Sequence, residues 1–415
     1  MARPCGGTIV TRMQGWDSAV LLVDLNSRPK EDTGSVVSIK SRQCRVCAVL
    51  IAAFFTCACF PEATGQSAPD RGGDLIARAA AAQMQNDIPR AIELYSQAVK
   101  VNPKWPDGWW FLGSLQYRTG AFIPARDAVS RYIEMTPNAG PAIALRGLCE
   151  FETEQYKEAL GDIQRGISLG AANQPRNEQI LRYHEALLQT RLGNYSSALK
   201  TYSFFAKTGV TNPELLVAIG LAGLRMPLLP KNVGAEQQPL VSAAGDAAYR
   251  FLAGDETSAT TAFQELFRLY PSARNAHFLY GYLLFANDPD AALSEFLQEL
   301  KISPSNADAD LMTAWALLLR NRVREALPYA QQAAAGEPRL ASAQLVLGRS
   351  LMETGDLNGA LEHLQEALQL EPDNLETHLA LAKAYSKSGR NEDARRERVL
   401  CLQLTKGTAT AIESP

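Results

Sequence analysis

The feature that most constrains this 415-residue chain is self-similarity: between residues 341 and 404 it matches itself at an offset of 34. Leu347 falls on Leu381, Gly348 on Ala382, Gly355 on Gly389, Ala360 on Ala394 and Ala367 on Cys401. Within each copy, apolar and small residues recur at helical spacing in two runs, broken at Gly355-Asp356 and at Gly389-Arg390, so each copy predicts helix, turn, helix. A helical hairpin of that size leaves one apolar face open. Only a neighbour of the same kind covers it, so a chain that repeats in this way has to stack.

The period and its contents resemble the tetratricopeptide repeat, whose signature sets an aromatic, Leu-Gly, an aromatic, Ala, a large apolar residue, Ala and Pro along one unit. The resemblance implies an all-α fold, a right-handed α-solenoid (superhelix) of stacked helix-turn-helix repeats. Physics accounts for these residue types. Gly or Ala at the eighth and twentieth places lets two antiparallel helices approach, a bulky residue at the twenty-fourth fills the space beside them, and proline at the thirty-second stops the second helix.

Units read in this way start at residues 72 (Ala91, Tyr95, Ala98, Pro103), 106 (Trp109, Leu112, Gly113, Ala125, Val129, Pro137), 140 (Gly147, Ala159, Ile163) and 179 (Ala186, Ala198, Tyr202, Phe205). Together they predict a first array of about four repeats over 72–212. NPELLVAIGLAGLRMP then reads as one helix in register, but Pro227 and Pro230 end it and a proline-rich loop replaces its second helix, giving a lone helix plus loop over 213–239. A second array of about five repeats follows over 240–408, with Ala259, Phe263, Leu266 and Pro271 in its first unit. Residues 409–415 read as a disordered tail. The run Asp393, Arg395, Arg396, Glu397, Arg398 in the last helix reads as the solvated outer face of a terminal unit.

Ahead of the arrays, residues 1–39 read as a poorly structured leader. Residues 40–65 carry Lys40, Arg42 and Arg45, then the apolar run Val46 to Phe60, then Pro61 and small residues. That order is the order of a secretory signal, and the apolar run is short against the roughly 20 residues that span a bilayer. The expectation is a periplasmic or secreted protein after cleavage near Gly65, with residues 66–71 as linker. An uncleaved anchor through residues 46–60, or lipidation at Cys57 or Cys59, stays open, with the repeats outside the cytoplasm. Export fits the cysteine usage: five of the seven precede residue 60, leaving Cys149 and Cys401.

The remaining residues exclude several functions. With Lys+Arg 41 against Asp+Glu 44, the net charge of −3 offers no field for a polyphosphate, so no nucleic-acid partner is expected. There is no GxxxxGK[ST] or HExxH, and Cys44-x-x-Cys47 has no second pair. Of the four histidines, His277 and His378 occupy the fourth place of their units, a packing place in the family. No enzyme activity, metal or cofactor is expected; the expected partner is a protein or peptide.

In tetratricopeptide arrays the first helix of each unit lines the inner surface through roughly its second, fifth, ninth, twelfth and thirteenth places. The resemblance therefore puts Trp110, Tyr117, Phe151, Tyr183, Phe251, Phe278, Tyr282, Phe285 and Trp315 on or near a partner-binding groove suited to an apolar peptide or helix. Clamps for an acidic C-terminal peptide carry Lys and Asn at the fifth, ninth and thirteenth places. Here the fifth places hold Trp110, Ala144, Tyr183, Leu311 and Leu345, which disfavours that mode. The expected function is a non-catalytic protein-interaction scaffold, the alternative being the substrate-recognition or assembly subunit of an envelope enzyme complex.

Overall fold

A computed structural model describes residues 71–412. The leader, the basic-apolar segment at 40–65, the linker up to residue 70 and residues 413–415 lie outside the described residues. The described residues form nineteen α-helices and no strand. They divide into two compact units, up to Leu188 and from Gln189.

The first unit contains α1 (Arg71–Met84), α2 (Ile88–Val101), α3 (Pro106–Arg118), α4 (Phe122–Met135), α5 (Gly140–Glu152), α6 (Tyr156–Ser168) and all but the last turn of α7 (Pro175–Arg191). The second contains α8 (Tyr195–Thr208), α9 (Pro213–Gly223), α10 (Gln238–Leu252), α11 (Glu256–Leu269), α12 (Ala276–Leu284), α13 (Pro289–Ile302), α14 (Ala307–Leu319), α15 (Val323–Gly336), α16 (Ala341–Thr354), α17 (Leu357–Leu370), α18 (Leu375–Lys387) and α19 (Asn391–Ile412). From α1 to α6 and from α8 to α19, each helix packs on the next. The last helix runs past residue 408, where the sequence places the end of the array.

Local chemistry sets the hairpins. The residue at the fifteenth place is left-handed in eight units: Asn86, Gly120, Glu154, Gly193, Gly254, Asn321, Gly355 and Gly389. One such residue reverses the chain between antiparallel helices, and Gly and Asn tolerate it best. The second helix is then opened by an aspartate cap where one is present, as Asp87, Asp255, Asp288 and Asp356 accept from Arg90, Ser258, Ala291 and Gly359 N–H. Asn212, Asn306 and Asn374 cap first helices in the same way.

The two helices of a hairpin touch at the eighth place. A Cβ on Gly113 would lie 2.6 Å from Val129 Cγ2 and 3.2 Å from the Ala125 carbonyl; on Gly348 it would lie 2.6 Å from Leu364 Cγ and 3.1 Å from the Ala360 carbonyl. Both contacts join places eight, twenty and twenty-four of one unit. Successive units are tied at the fourth place. Trp109 Nε1, Gln344 Nε2 and His378 Nε2 donate to the carbonyls of Pro103, Pro338 and Pro372, at 2.9, 2.8 and 2.9 Å. The proline that stops one unit thus leaves a carbonyl that anchors the next.

The segment at 213–239 follows the same rule across an insertion. After α9 come the left-handed Arg225, a buried Leu229 and a 3-10 turn at Pro230–Asn232, and then α10. A Cβ on Gly220, eighth in its unit, would lie 1.9 Å from the Val241 carbonyl, and one on Gly245 would lie 1.8 Å from the Leu216 carbonyl. The second-helix place beside α9 is therefore taken by α10, which also packs on α11 through the following hairpin. No described helix is long and apolar enough to cross a membrane.

The glycine contacts make a paired prediction. At 220 and 245 only backbone faces the missing methyl, so nothing yields; Gly245→Ala should destabilise by about 3 kcal/mol or more. Gly161 is exposed in α6 with nothing within 4 Å of its Cβ position, so Gly161→Ala should gain about 0.5–1 kcal/mol. Denaturant midpoints of the two variants should move in opposite directions.

Candidate partner-binding surface

The aromatic residues selected by the repeat register fall into two groups. In the first unit Trp110, Tyr117, Phe151 and Tyr183 are all buried. Trp110 packs on Tyr132 with ring centroids 5.6 Å apart, Tyr117 meets Phe122 edge-on at 5.5 Å, and Phe151 meets His184 edge-on at 4.9 Å. Their rings are engaged by neighbouring helices. In the second unit Phe278 is buried, whereas Phe251, Tyr282, Phe285 and Trp315 are half-buried.

Phe278 lies in a polar knot that fixes the chain after α9. The Arg225 guanidinium sits 4.9 Å from the Tyr195 ring centroid and 5.0 Å from that of Phe278, and pairs with Asp308 at 2.6 Å. Two aromatic faces and a carboxylate hold a residue whose backbone is left-handed, at a local cost of about 1–2 kcal/mol. Beside it the side chain of Asn275 donates to the Leu224 carbonyl at 3.0 Å and accepts from Asn306 at 2.9 Å. Glu299, fully buried, accepts from the Asn275 backbone N–H at 2.8 Å, at the start of α12. The cavity between Tyr195, Arg225, Phe278 and Tyr282 is about 10 Å³, room for one water. It is a joint, too small for a ligand.

Further along the second unit the same helix face becomes charged. Arg349, ninth in its unit, lies 4.6 Å over the Trp315 ring and pairs with Glu376 at 2.6 Å. Glu353, thirteenth, accepts from Lys383 and, at 2.8 Å, from Lys387. These two lysines hold the Glu353 carboxyl below its ordinary range. Leu319 and Leu379, on the first helices α14 and α18, are 56% and 52% exposed. So the face carries half-buried aromatics on α12 and α14, then paired charges on α16 and α18. The sequence reading stopped at the aromatics; the ninth and thirteenth places of the last two units, counted in the same way, would have shown Arg349, Glu353, Lys383 and Lys387.

Among the described residues the titratable groups with shifted pKa values are scattered along the helices. Among the described residues no three His, Cys, Asp or Glu side chains gather to hold a metal ion. Burial lowers His184, whose Nδ1 donates to the Ile180 carbonyl at 2.8 Å, and His277 stacks on Phe267 at 3.8 Å. Burial also pushes the Cys149 thiol up to about 12. The Glu150 carboxyl rises to about 7, through burial first and the charge of Asp162 second, because Arg146 makes a two-pronged bond to Asp162 and only approaches Glu150, at 3.9 Å.

Asp310 shows what such a group does to stability. It stands fourth in its unit, six residues after Pro304, where Trp109, Gln344 and His378 donate to a proline carbonyl; an ionised carboxylate has no hydrogen to donate. Its Oδ1 has no hydrogen-bond partner, the residue is 2% exposed, and burial raises its pKa to about 6. A folded-state pKa above the ordinary 3.8 means that the folded protein holds the proton more tightly. The stabilising contribution is full below the ordinary value and is lost as pH rises through about 6. Asp310→Asn supplies an N–H at every pH. It should exceed the wild type by on the order of 1 kcal/mol above that range and converge with it in acid, read from denaturation across pH.

The fold and surface define a class, the helical-repeat scaffolds. Two models described as tetratricopeptide repeat match the chain, one over residues 76–140, 243–307 and 282–341 and the other over 351–397. Together they cover just over half of it, and the chain belongs to the tetratricopeptide repeat family. Solved structures similar to parts of it include MamA, at 18% identity over 40% of this chain and 96% of that one, with a TM-score of 0.36. MamA 41-end from Desulfovibrio magneticus RS-1 matches at 20% identity over 42% of this chain and 97% of that one, TM-score 0.37. YrrB, described as a TPR protein with an unusual peptide-binding site, matches at 19% over 40% and 86%, TM-score 0.36. No curated protein matches. As a tetratricopeptide repeat protein the chain is of a protein-interaction scaffold class.

Proposed function

We propose that this chain is a non-catalytic scaffold that works beyond the cytoplasmic membrane and holds a peptide or helix of a partner on the first-helix face of its second unit. The observation that carries the reading is the run of half-buried Tyr282, Phe285 and Trp315 with exposed Leu319 beside them. Half-buried aromatics give large contact area at little entropic cost, the character of binding hot spots. The first unit's aromatics are buried and are assigned to packing. The order of basic flank, apolar run and small residues over 40–65 supports export, with cleavage near Gly65 or retention as an anchor.

Two measurements test this. Peptides selected from a displayed library on the purified protein should bind the wild type and lose about tenfold or more in affinity on Trp315→Ala or Tyr282→Ala, with far-UV circular dichroism unchanged. Selected peptides indifferent to both substitutions would place the site elsewhere. For export, protein recovered from the envelope fraction of a bacterial host should begin near Gln66 or remain membrane-bound; an intact N-terminus in the cytosolic fraction sinks that part of the proposal.

A further inference from the structure

The outer face of α19 is a second surface that turns apolar side chains to solvent, Val399 and Leu402 among them. Shifted back by 34 residues, Arg395, Arg398, Val399 and Leu402 fall on Leu361, Leu364, Gln365 and Leu368 of α17. That earlier stripe lies in the core that α17 shares with its own hairpin partner and with the next unit. Leu361 is 8% exposed and Leu364 is fully buried, Leu368 packs against the same core, and Gln365 Nε2 donates to Tyr385 Oη of α18 at 2.9 Å. On the first helix, Leu345 is 2% exposed and its counterpart Leu379 is 52% exposed. On α19, Val399 and Leu402 are 53% and 61% exposed, and Arg395 and Arg398 are exposed with no hydrogen bond or ion pair among the described residues.

The four residues are spaced i, i+3, i+4, i+7 and therefore form one stripe. It is the α17 stripe repeated once more, with two of its places changed to arginine. The equivalent stripe of α13 is Leu293, Phe296, Leu297 and Leu300, wholly apolar.

We infer that this face, independently of the groove proposed above, takes a single amphipathic helix of a partner protein, seated where the first helix of a following unit would lie, with an apolar stripe for Val399 and Leu402 and carboxylates for Arg395 and Arg398. The stripe supplies the shape and the unpaired guanidiniums supply the sign. A second copy of this chain is a poor occupant. Across a two-fold axis it would oppose arginine to arginine, and its nearby carboxylates are engaged: Asp393 with Arg390 and Arg396, Glu397 with His378 at 2.6 Å. Only Glu392 is left on that helix.

The test uses the full chain and a designed helical peptide of about 20 residues, with leucines at i, i+3, i+4 and i+7 flanked by glutamates, plus a twin in which lysines replace the glutamates. The glutamate peptide should bind wild type; Arg395→Glu with Arg398→Glu should weaken it by about tenfold or more while the lysine twin gains, a swap of preference that a merely apolar contact does not give. Val399→Ser with Leu402→Ser should weaken both. All four positions are exposed, so the variants keep the fold, checked by circular dichroism. Equal affinity for the two peptides, no binding of either, binding only to phosphatidylglycerol vesicles, or self-association that Leu402→Glu abolishes would each overturn the inference.

Discussion

The interaction on which the rest depends is the contact between the two helices of a hairpin at the eighth place. Gly113 against Val129 and the Ala125 carbonyl, and Gly348 against Leu364 and the Ala360 carbonyl, bring the helices close enough that no side chain fits between them. That contact uses one face of the first helix, and the fourth-place bonds to the preceding proline carbonyl use another. What remains is the face of the fifth, ninth and thirteenth places, buried at Trp110 and Tyr183 and open in part at Trp315 and Leu319. In a globular domain such a face would be solvent; in a stack of hairpins it lines up with its counterparts and becomes a surface.

The middle of the chain shows how much the rule tolerates. Between α9 and α10 the connection is long and rich in proline, yet α10 arrives at α9 with Val241 and Gly245 where places twenty and twenty-four belong. Loop entropy grows slowly with length, so the added residues cost little once the helix contact is kept. What the insertion does require is an anchor for its entry, and Arg225, clasped by Tyr195, Phe278 and Asp308, is that anchor. The helix α10 then serves two partners, one on each side. Small residues make this feasible: Val241, Ala244, Gly245, Ala247 and Ala248 are all buried.

The helices and their order were legible because a period of 34 with glycine, alanine and proline at fixed places admits few alternatives. The left-handed fifteenth place was legible at Gly355 and Gly389 and hidden at Glu154, whose side chain disfavours that conformation and gave no signal. The surface was less legible, for a physical reason. A register assigns a residue to a side of its helix, while burial depends on the size of what packs against that side. Trp110 and Tyr183 stand at the fifth place as the register says, and Tyr132 and the surrounding helices close over them or beside them. The charges at Arg349, Glu353, Lys383 and Lys387 stand in the same register, at the ninth and thirteenth places of the last two repeats, and carry no aromatic signature. The segment at 40–65 has only its sequence to argue from.

The charged and aromatic parts of the second unit differ in what it would take to change them. Arg225 is stacked between two rings and paired inside the fold, so removing Asp308 would leave a partly buried cation without its carboxylate. Lys383 is 57% exposed and Glu376 is 53% exposed, and ion pairs of that kind contribute about 0–1 kcal/mol because water competes for both partners. Such pairs can exchange a partner at small cost. A ligand carrying a carboxylate could draw a lysine from Glu353, while the same ligand could not draw Arg225 from its cage. The face therefore runs from a fixed end near α9 to an exchangeable end at α18, with Tyr282, Phe285 and Trp315 between them. For a partner bound as proposed, orientation would follow from that gradient, because only one end can answer the charge of what is bound.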